Sequence, residues 1–246
     1  MTNAFFGLME HITVNNIKID VVRKNIKNIH LAVYPPKGRV RIAAPLTVDD
    51  DAIRMFVISK LSWIKRHQRN FKEQERTSPR EYKNRESHYY EGRRYLLNVI
   101  EVDAPPQVIL RNKTYIDLYV RPEAPITKRQ EIMNEWYRIQ LKKQIPELIE
   151  KWEKKLKVNV SEWQVKRMKT KWGSCNIEKK RIWINLELAK KPIRCVEYII
   201  VHEIVHMLER HHNEKFLYYL ENCLPHWKKL RAELNRLPVG HADWKY

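Results

Sequence analysis

Cysteine is scarce in this chain of 246 residues: Cys175, Cys195 and Cys223 are odd in number, far apart, and form no CxxC pair. That usage excludes a disulfide framework of the kind that staples small secreted domains, and it points to a reducing compartment. Long apolar runs are also absent, and no stretch approaches the roughly 20 residues that a membrane-spanning helix needs. The first residues, Met1 to Phe6, lack the basic segment and apolar run of a secretory signal. A cytoplasmic protein with no membrane partner is the expectation. Acidic residues are outnumbered, 29 against 48 lysines and arginines, which leaves a formal charge of +19. Such an excess attracts anions, so nucleic acid or a nucleotide is a candidate partner, while basicity also serves plain solubility. Repeats and low-complexity tracts are missing. An apolar content of 43% is enough to bury a real core.

Along the chain, β-formers alternate or cluster from Ile12 to Pro45, broken by Pro35-Pro36-Lys37-Gly38, which predicts a meander or hairpin. Thr47 then offers a cap for a helix to about Arg69, with Ile53, Phe56, Val57, Leu61 and Ile64 on one face. The charged stretch 71–88 reads as an exposed connection and a candidate lid. Strands resume from Tyr89 to Val102 and from Val108 to Val120. A long helix capped by Thr127 reaches about Leu156, kinked or broken by Pro146. A β-pair of Trp163–Lys171 with Arg181–Asn185 follows, and a helical block from Ile193 to Leu237 closes the chain, interrupted near His211 and at Pro225. This order implies an α+β fold: a β-rich part, 1–125, and a part, 126–246, whose metal-binding helix lies beside a small antiparallel sheet. The turn Pro122–Pro125 marks the division, unless a sheet is shared across it into one continuous domain of about 17–237.

Chemistry concentrates in Val201-His202-Glu203-Ile204-Val205-His206. Two histidines four apart on a helix stack one turn apart on one face, so both reach a single metal ion. Glu203 stands next to them at a position that points past the ion, where a carboxylate holds and deprotonates a water instead of filling a coordination site. A catalytic zinc takes three protein ligands and leaves one position open, so a third donor is required. His212 stands six residues after His206 where the helix can end and turn back, and His211 beside it competes for the role or serves as a supporting donor. His226, before Trp227, is a candidate for the rim of the site or a plain surface histidine at a helix start.

The run Met168-Lys169-Thr170-Lys171-Trp172-Gly173-Ser174-Cys175, the H-E-x-x-H helix, His212, Phe216 and Pro225-His226-Trp227 together resemble the YgjP-like metallopeptidase-domain family. That family is similar in its zincin core to SprT-like proteases that act on DNA-bound proteins. The resemblance runs from about Ile17 to Leu237. It implies zinc held by His202, His206 and His212, with Glu203 as the general base. It also brings Lys169, Lys171, Trp172, Gly173 and Ser174 towards the site, where Lys171 could stabilise an oxyanion, while Trp172, a lone aromatic, reads rather as core. The chain departs from the family pattern at His211, where asparagine is common, at Leu217, where tryptophan is frequent, and at His226, where aspartate is usual. Three readings compete: a zinc metallopeptidase acting on protein or peptide, a metal-dependent nucleotide phosphohydrolase, and a nucleic-acid-binding module with non-catalytic zinc.

Overall fold

The computed structural model describes residues 9–34, 38–73, 80–168 and 171–236. The fold is α+β, and the chain divides into two compact units, Met1–Glu75 and Arg76–Tyr246. Residues 74–79, in the middle of the connection expected over 71–88, lie outside the described residues, and so does Lys169.

The first unit carries β1 (Met9–Val14), β2 (Ile17–Lys24), β3 (His30–Tyr34), β4 (Arg39–Pro45) and helix α1 (Asp50–Glu73). The strand order is β1-β2-β4-β3, with β2 and β4 parallel, so this is not the simple meander that the alternation predicts. Burial explains the difference. Ile19 and Val21 on β2 lie opposite Val40 and Ile42 on β4, and all are wholly buried, whereas β3 is at most half-buried and takes the edge. Ile53, Val57 and Ile64 of α1 close this core. The helix is capped by Asp49, whose carboxylate accepts the Ala52 N–H at 2.7 Å, rather than by Thr47.

In the second unit, β5 (Ser87–Tyr90), β6 (Arg93–Glu101), β7 (Gln107–Leu110) and β8 (Tyr115–Val120) form a sheet ordered β5-β6-β8-β7. Helix α2 (Ile126–Leu156) packs on this sheet and on the elements that follow. It begins at Pro125 with no side-chain cap and continues past Pro146 without a break. An interior proline costs an isolated helix about 3 kcal/mol. Here Leu141, Ile145, Ile149 and Trp152, buried on either side of Pro146, hold the helix in one piece. Next come β9 (Glu162–Lys166), β10 (Gly173–Asn176), β11 (Arg181–Asn185), a single 3-10 turn (Leu186–Lys190), and helices α3 (Ile193–Val205), α4 (Glu214–Cys223) and α5 (Trp227–Arg236). The small sheet is mixed: β11 pairs parallel with β9 and antiparallel with β10. Gly173–Asn176, which lay between the two strands of the expected β-pair, is its edge strand. Pro122 and Pro125 lie inside this unit, between β8 and α2. One apolar cluster runs from Tyr82 to Leu234 and takes in Val120 and Met133 on either side of that turn, so no core ends there. Among the described residues no helix is long and apolar enough to cross a membrane.

Candidate metal centre

Nine of the thirteen residues of α3 are buried, and the helix packs against α2, α4, α5, β10 and β11. This apolar seat fixes its rotation, and the rotation decides where its polar residues point. Successive residues on a helix are about 100° apart, so His202 and Glu203 face different neighbours. His202 and His206 turn towards α4. Glu203 turns towards β10.

The ligand atoms of His202, His206 and His212 all lie within 4.8 Å of one another. His202 Nε2 and His212 Nε2 approach to 3.0 Å. Two nitrogens of a tetrahedral zinc site are about 3.3 Å apart, given bonds of about 2.0–2.1 Å, so the spacing already suits an ion. His206 Nδ1 lies 3.2 Å from the Glu209 carbonyl and donates to it when it carries the proton, which leaves Nε2 as the donor to a metal. His202 Nδ1 is buried with no hydrogen-bond partner among the described residues. Burial pushes the His202 imidazole down to about 3, helped by the charges of His206, His212 and Arg231. His206 is lowered by burial first, and His212 by burial and then by Arg231 and His211. Neutral imidazoles are the form that binds metal, so the fold holds the triad in its ligating state.

Phe216, 1% exposed, is the seat of the cluster. Its ring centroid lies 5.0 Å from that of His202, 4.7 Å from His206 and 4.6 Å from His212. The start of α4 sets this position, since the Asn213 side chain accepts the Phe216 N–H at 3.0 Å. A cap at the residue after His212 therefore fixes both His212 and the ring beneath it.

Glu203 is 6% exposed. Desolvation raises its carboxyl to about 7, against the opposing pull of the Lys171 charge and a hydrogen bond from the Cys175 N–H. Gly173 leaves room for it. A Cβ at Gly173 would fall 2.6 Å from Glu203 Oε1 and 2.7 Å from Cγ, closer than van der Waals contact allows. The loop that carries Lys171 and Trp172 is tied by Asn185, 5% exposed, whose amide donates to the carbonyls of Met168 at 2.9 Å and Lys171 at 2.7 Å. Its backbone N–H also reaches the Trp172 carbonyl at 2.9 Å.

The structure thus unites most of the expected site residues and leaves some apart. His212, not His211, joins the triad; His211 is exposed, with its N–H on Glu209. His226 is exposed where α5 begins and its carbonyl accepts from Lys229 and Leu230. Trp172 is half-buried against the core, with the Lys191 ammonium 5.5 Å from its ring centre. Ser174 lies opposite Trp183 in the sheet. Arg231 and Asn185 were not expected. Arg231 is an exposed cation on α5 whose charge acts on His202 and His212, and nothing in its sequence neighbourhood marks it. Asn185 had a signal, an asparagine at a strand end three residues before the buried Leu188, but its reach back to Met168 is tertiary.

A family model described as YgjP-like, metallopeptidase domain, matches residues 27–237. The chain belongs to this family. The match covers most of the chain, takes in all three histidines and Glu203, and continues across both compact units. No curated protein matches. Among solved structures, the YgjP-like chain is similar to the metallopeptidase zymogen abylysin of Pyrococcus abyssi, at 16% identity and a TM-score of 0.35, over 37% of this chain and 90% of that one. Membership of a metallopeptidase-domain family implies a divalent metal, and the histidine triad is where this YgjP-like domain offers to hold one.

Proposed function

We propose that the chain is a zinc-dependent metallopeptidase in which His202, His206 and His212 hold the ion and Glu203 is the general base. The observation that carries this reading is the open triad: three imidazoles converge, and among the described residues no fourth histidine, cysteine or carboxylate joins the group. Structural zinc sites are usually closed by four protein ligands, commonly cysteine-rich, so an open site of three histidines favours catalysis over a purely structural ion. When bound, zinc supplies Lewis acidity that makes a water nucleophilic near neutral pH and polarises a carbonyl. The chain's own part is proton transfer. Glu203, lifted towards neutrality by burial, takes a proton from the attacking water and returns it to the leaving amine. Its position depends on the Cys175 N–H and on the bare backbone of Gly173. Gly173→Ala is therefore expected to displace the carboxylate and to lower hydrolysis by about 10²-fold with metal content unchanged, because an ångström of misplacement costs that much. Full activity with an ordinary melting temperature would show that the contact is unimportant.

Protein or peptide is the substrate class this reading implies. A formal charge of +19 would draw anionic partners, including nucleic acid, and the free cysteines suit the cytoplasm. The same charge supports a second reading, a nucleotide phosphohydrolase that uses the same activation of water. The two separate on a simple panel. Protein stripped with a chelator, and the same protein reloaded with zinc, are offered casein and nucleoside triphosphates. The expected result is casein cleavage that disappears with the metal and returns with zinc. Phosphate release from the nucleotides with casein intact would replace the first reading by the second.

A further inference from the structure

The tip of the β5–β6 hairpin, the β7–β8 loop and the start of α3 enclose a concavity of about 560 Å³. It lies at the opposite end of α3 from the histidines, and Ile193 and His202 are about 14 Å apart along the helix axis at 1.5 Å per residue. The hairpin tip is docked firmly, since the N–H groups of Glu91 and Gly92 donate to the carbonyls of Ala189 and Lys190, both at 3.1 Å. Gly92, at a φ of 78°, sits so close to Pro192 that a Cβ would fall 2.5 Å from its Cγ. The walls of the cleft are thus held by the fold.

The charges in it do not balance. Arg93 and Lys113 line the cleft, both are exposed, and neither has an ion pair or side-chain hydrogen bond among the described residues. Glu91, the acid in the lining, accepts from the Gln144 amide and the Tyr90 hydroxyl, neutral donors that leave its charge in place, so Arg93 and Lys113 together still exceed it. Arg194 is engaged by Glu233. Helix α3 begins beside them at Pro192 with no side-chain cap and no acid in its first turn. Helix starts carry partial positive charge, so this end adds to Arg93 and Lys113 rather than offsetting them. Apart from Asn112, whose side-chain oxygen accepts from the Thr114 and Tyr115 N–H groups, the remaining wall is largely apolar: Leu110 is 40% exposed and Ile193 is 43% exposed, next to Tyr90, Tyr95 and Pro192. The volume is in the range of small-molecule sites, roughly 300–1,000 Å³. A bare inorganic anion would leave the apolar wall unused.

We infer that this cleft binds a nucleoside phosphate, with the phosphate on Arg93 and Lys113 and the flat base against Leu110 and Ile193. The ligand is bound and not cleaved here, since the site is remote from the triad, and the inference does not depend on what the triad hydrolyses. The same chemistry arrives either as a free nucleotide or as one unit of a nucleic-acid strand. Calorimetric titration of the full chain at low salt tests it, with adenosine, adenosine monophosphate, inorganic phosphate and a twelve-residue oligothymidylate as probes. The expected result is that the monophosphate binds at least tenfold tighter than adenosine and than phosphate. Arg93→Glu with Lys113→Glu should weaken it at least tenfold, whereas Lys18→Glu with Lys60→Glu, an equal change of charge in the first unit, should not. Oligothymidylate binding more tightly per site than the monophosphate, with the same dependence on Arg93 and Lys113, identifies a strand as the source, and the reverse order identifies the free nucleotide. If the double glutamate variant loses its circular-dichroism signal, Arg93→Gln with Lys113→Gln replaces it. Equal affinity in the variant and the wild type, adenosine or phosphate binding as tightly as the monophosphate, or no binding of any probe to the wild type, would overturn the inference.

Discussion

Glu203→Gln is expected to keep its metal and lose about 10²–10⁴-fold in peptide hydrolysis, the range that a general base contributes. Glutamine has nearly the shape of the glutamate it replaces. It still fits against Gly173, and its carbonyl oxygen can still accept the Cys175 N–H, so neither packing nor that hydrogen bond is a reason for the loss. What disappears is the ability to take a proton. The fold should not suffer either, because a neutral amide is less costly to bury than a carboxylate at a site where desolvation already raises the carboxyl. Metal analysis and casein cleavage on the same preparation decide the matter. Unchanged cleavage at equal metal content would remove Glu203 from the mechanism, and loss of the metal would make it a ligand instead.

His206→Ala is expected to empty the centre and abolish hydrolysis, with metal stoichiometry falling below about a tenth of wild type, because two imidazoles do not make up the three-ligand set of a catalytic zinc. Of the three histidines, His206 has a defined orientation, with Nδ1 directed at the Glu209 carbonyl and the ring against Phe216. The matched control is His211→Ala. Its side chain is exposed and outside the triad, so metal and activity should both be retained. If His206→Ala kept its metal while the double variant with His211→Ala lost it, His211 would be a reserve donor and the triad would be less exclusive than its geometry indicates.

The local parts of this site were legible in the sequence because they obey helical periodicity. The four-residue spacing of His202 and His206 places them on one face whatever surrounds the helix, and the adjacent Glu203 must then point elsewhere. The buried row of α1, with Ile53, Val57 and Ile64, was visible for the same reason. Where a cap or a pairing partner had to be chosen, local pattern was a poorer guide. Asp49 rather than Thr47 caps α1, and β4 rather than β3 lies beside β2. The helix expected to kink or break at Pro146 is not broken there, because the penalty of one proline is small against a row of buried side chains.

By itself, then, the sequence determined the pairing of His202 and His206 on one helix face, the carboxylate beside them, the α+β class and the excess of positive charge. Each of these depends on residue type and on spacing within a single element. The choice of His212 over His211 was different in kind. It required α4 to start at Asn213 and to seat Phe216 beneath all three rings, a relation between helices separated by a turn. The edge strand that brings Gly173 against Glu203, the tie from Asn185 to the preceding loop, the charge of Arg231 on the triad and the cleft at the far end of α3 likewise join residues distant in the chain. Contacts of that sort arise only when apolar faces pack and carry their polar neighbours together, so only the tertiary structure decided them.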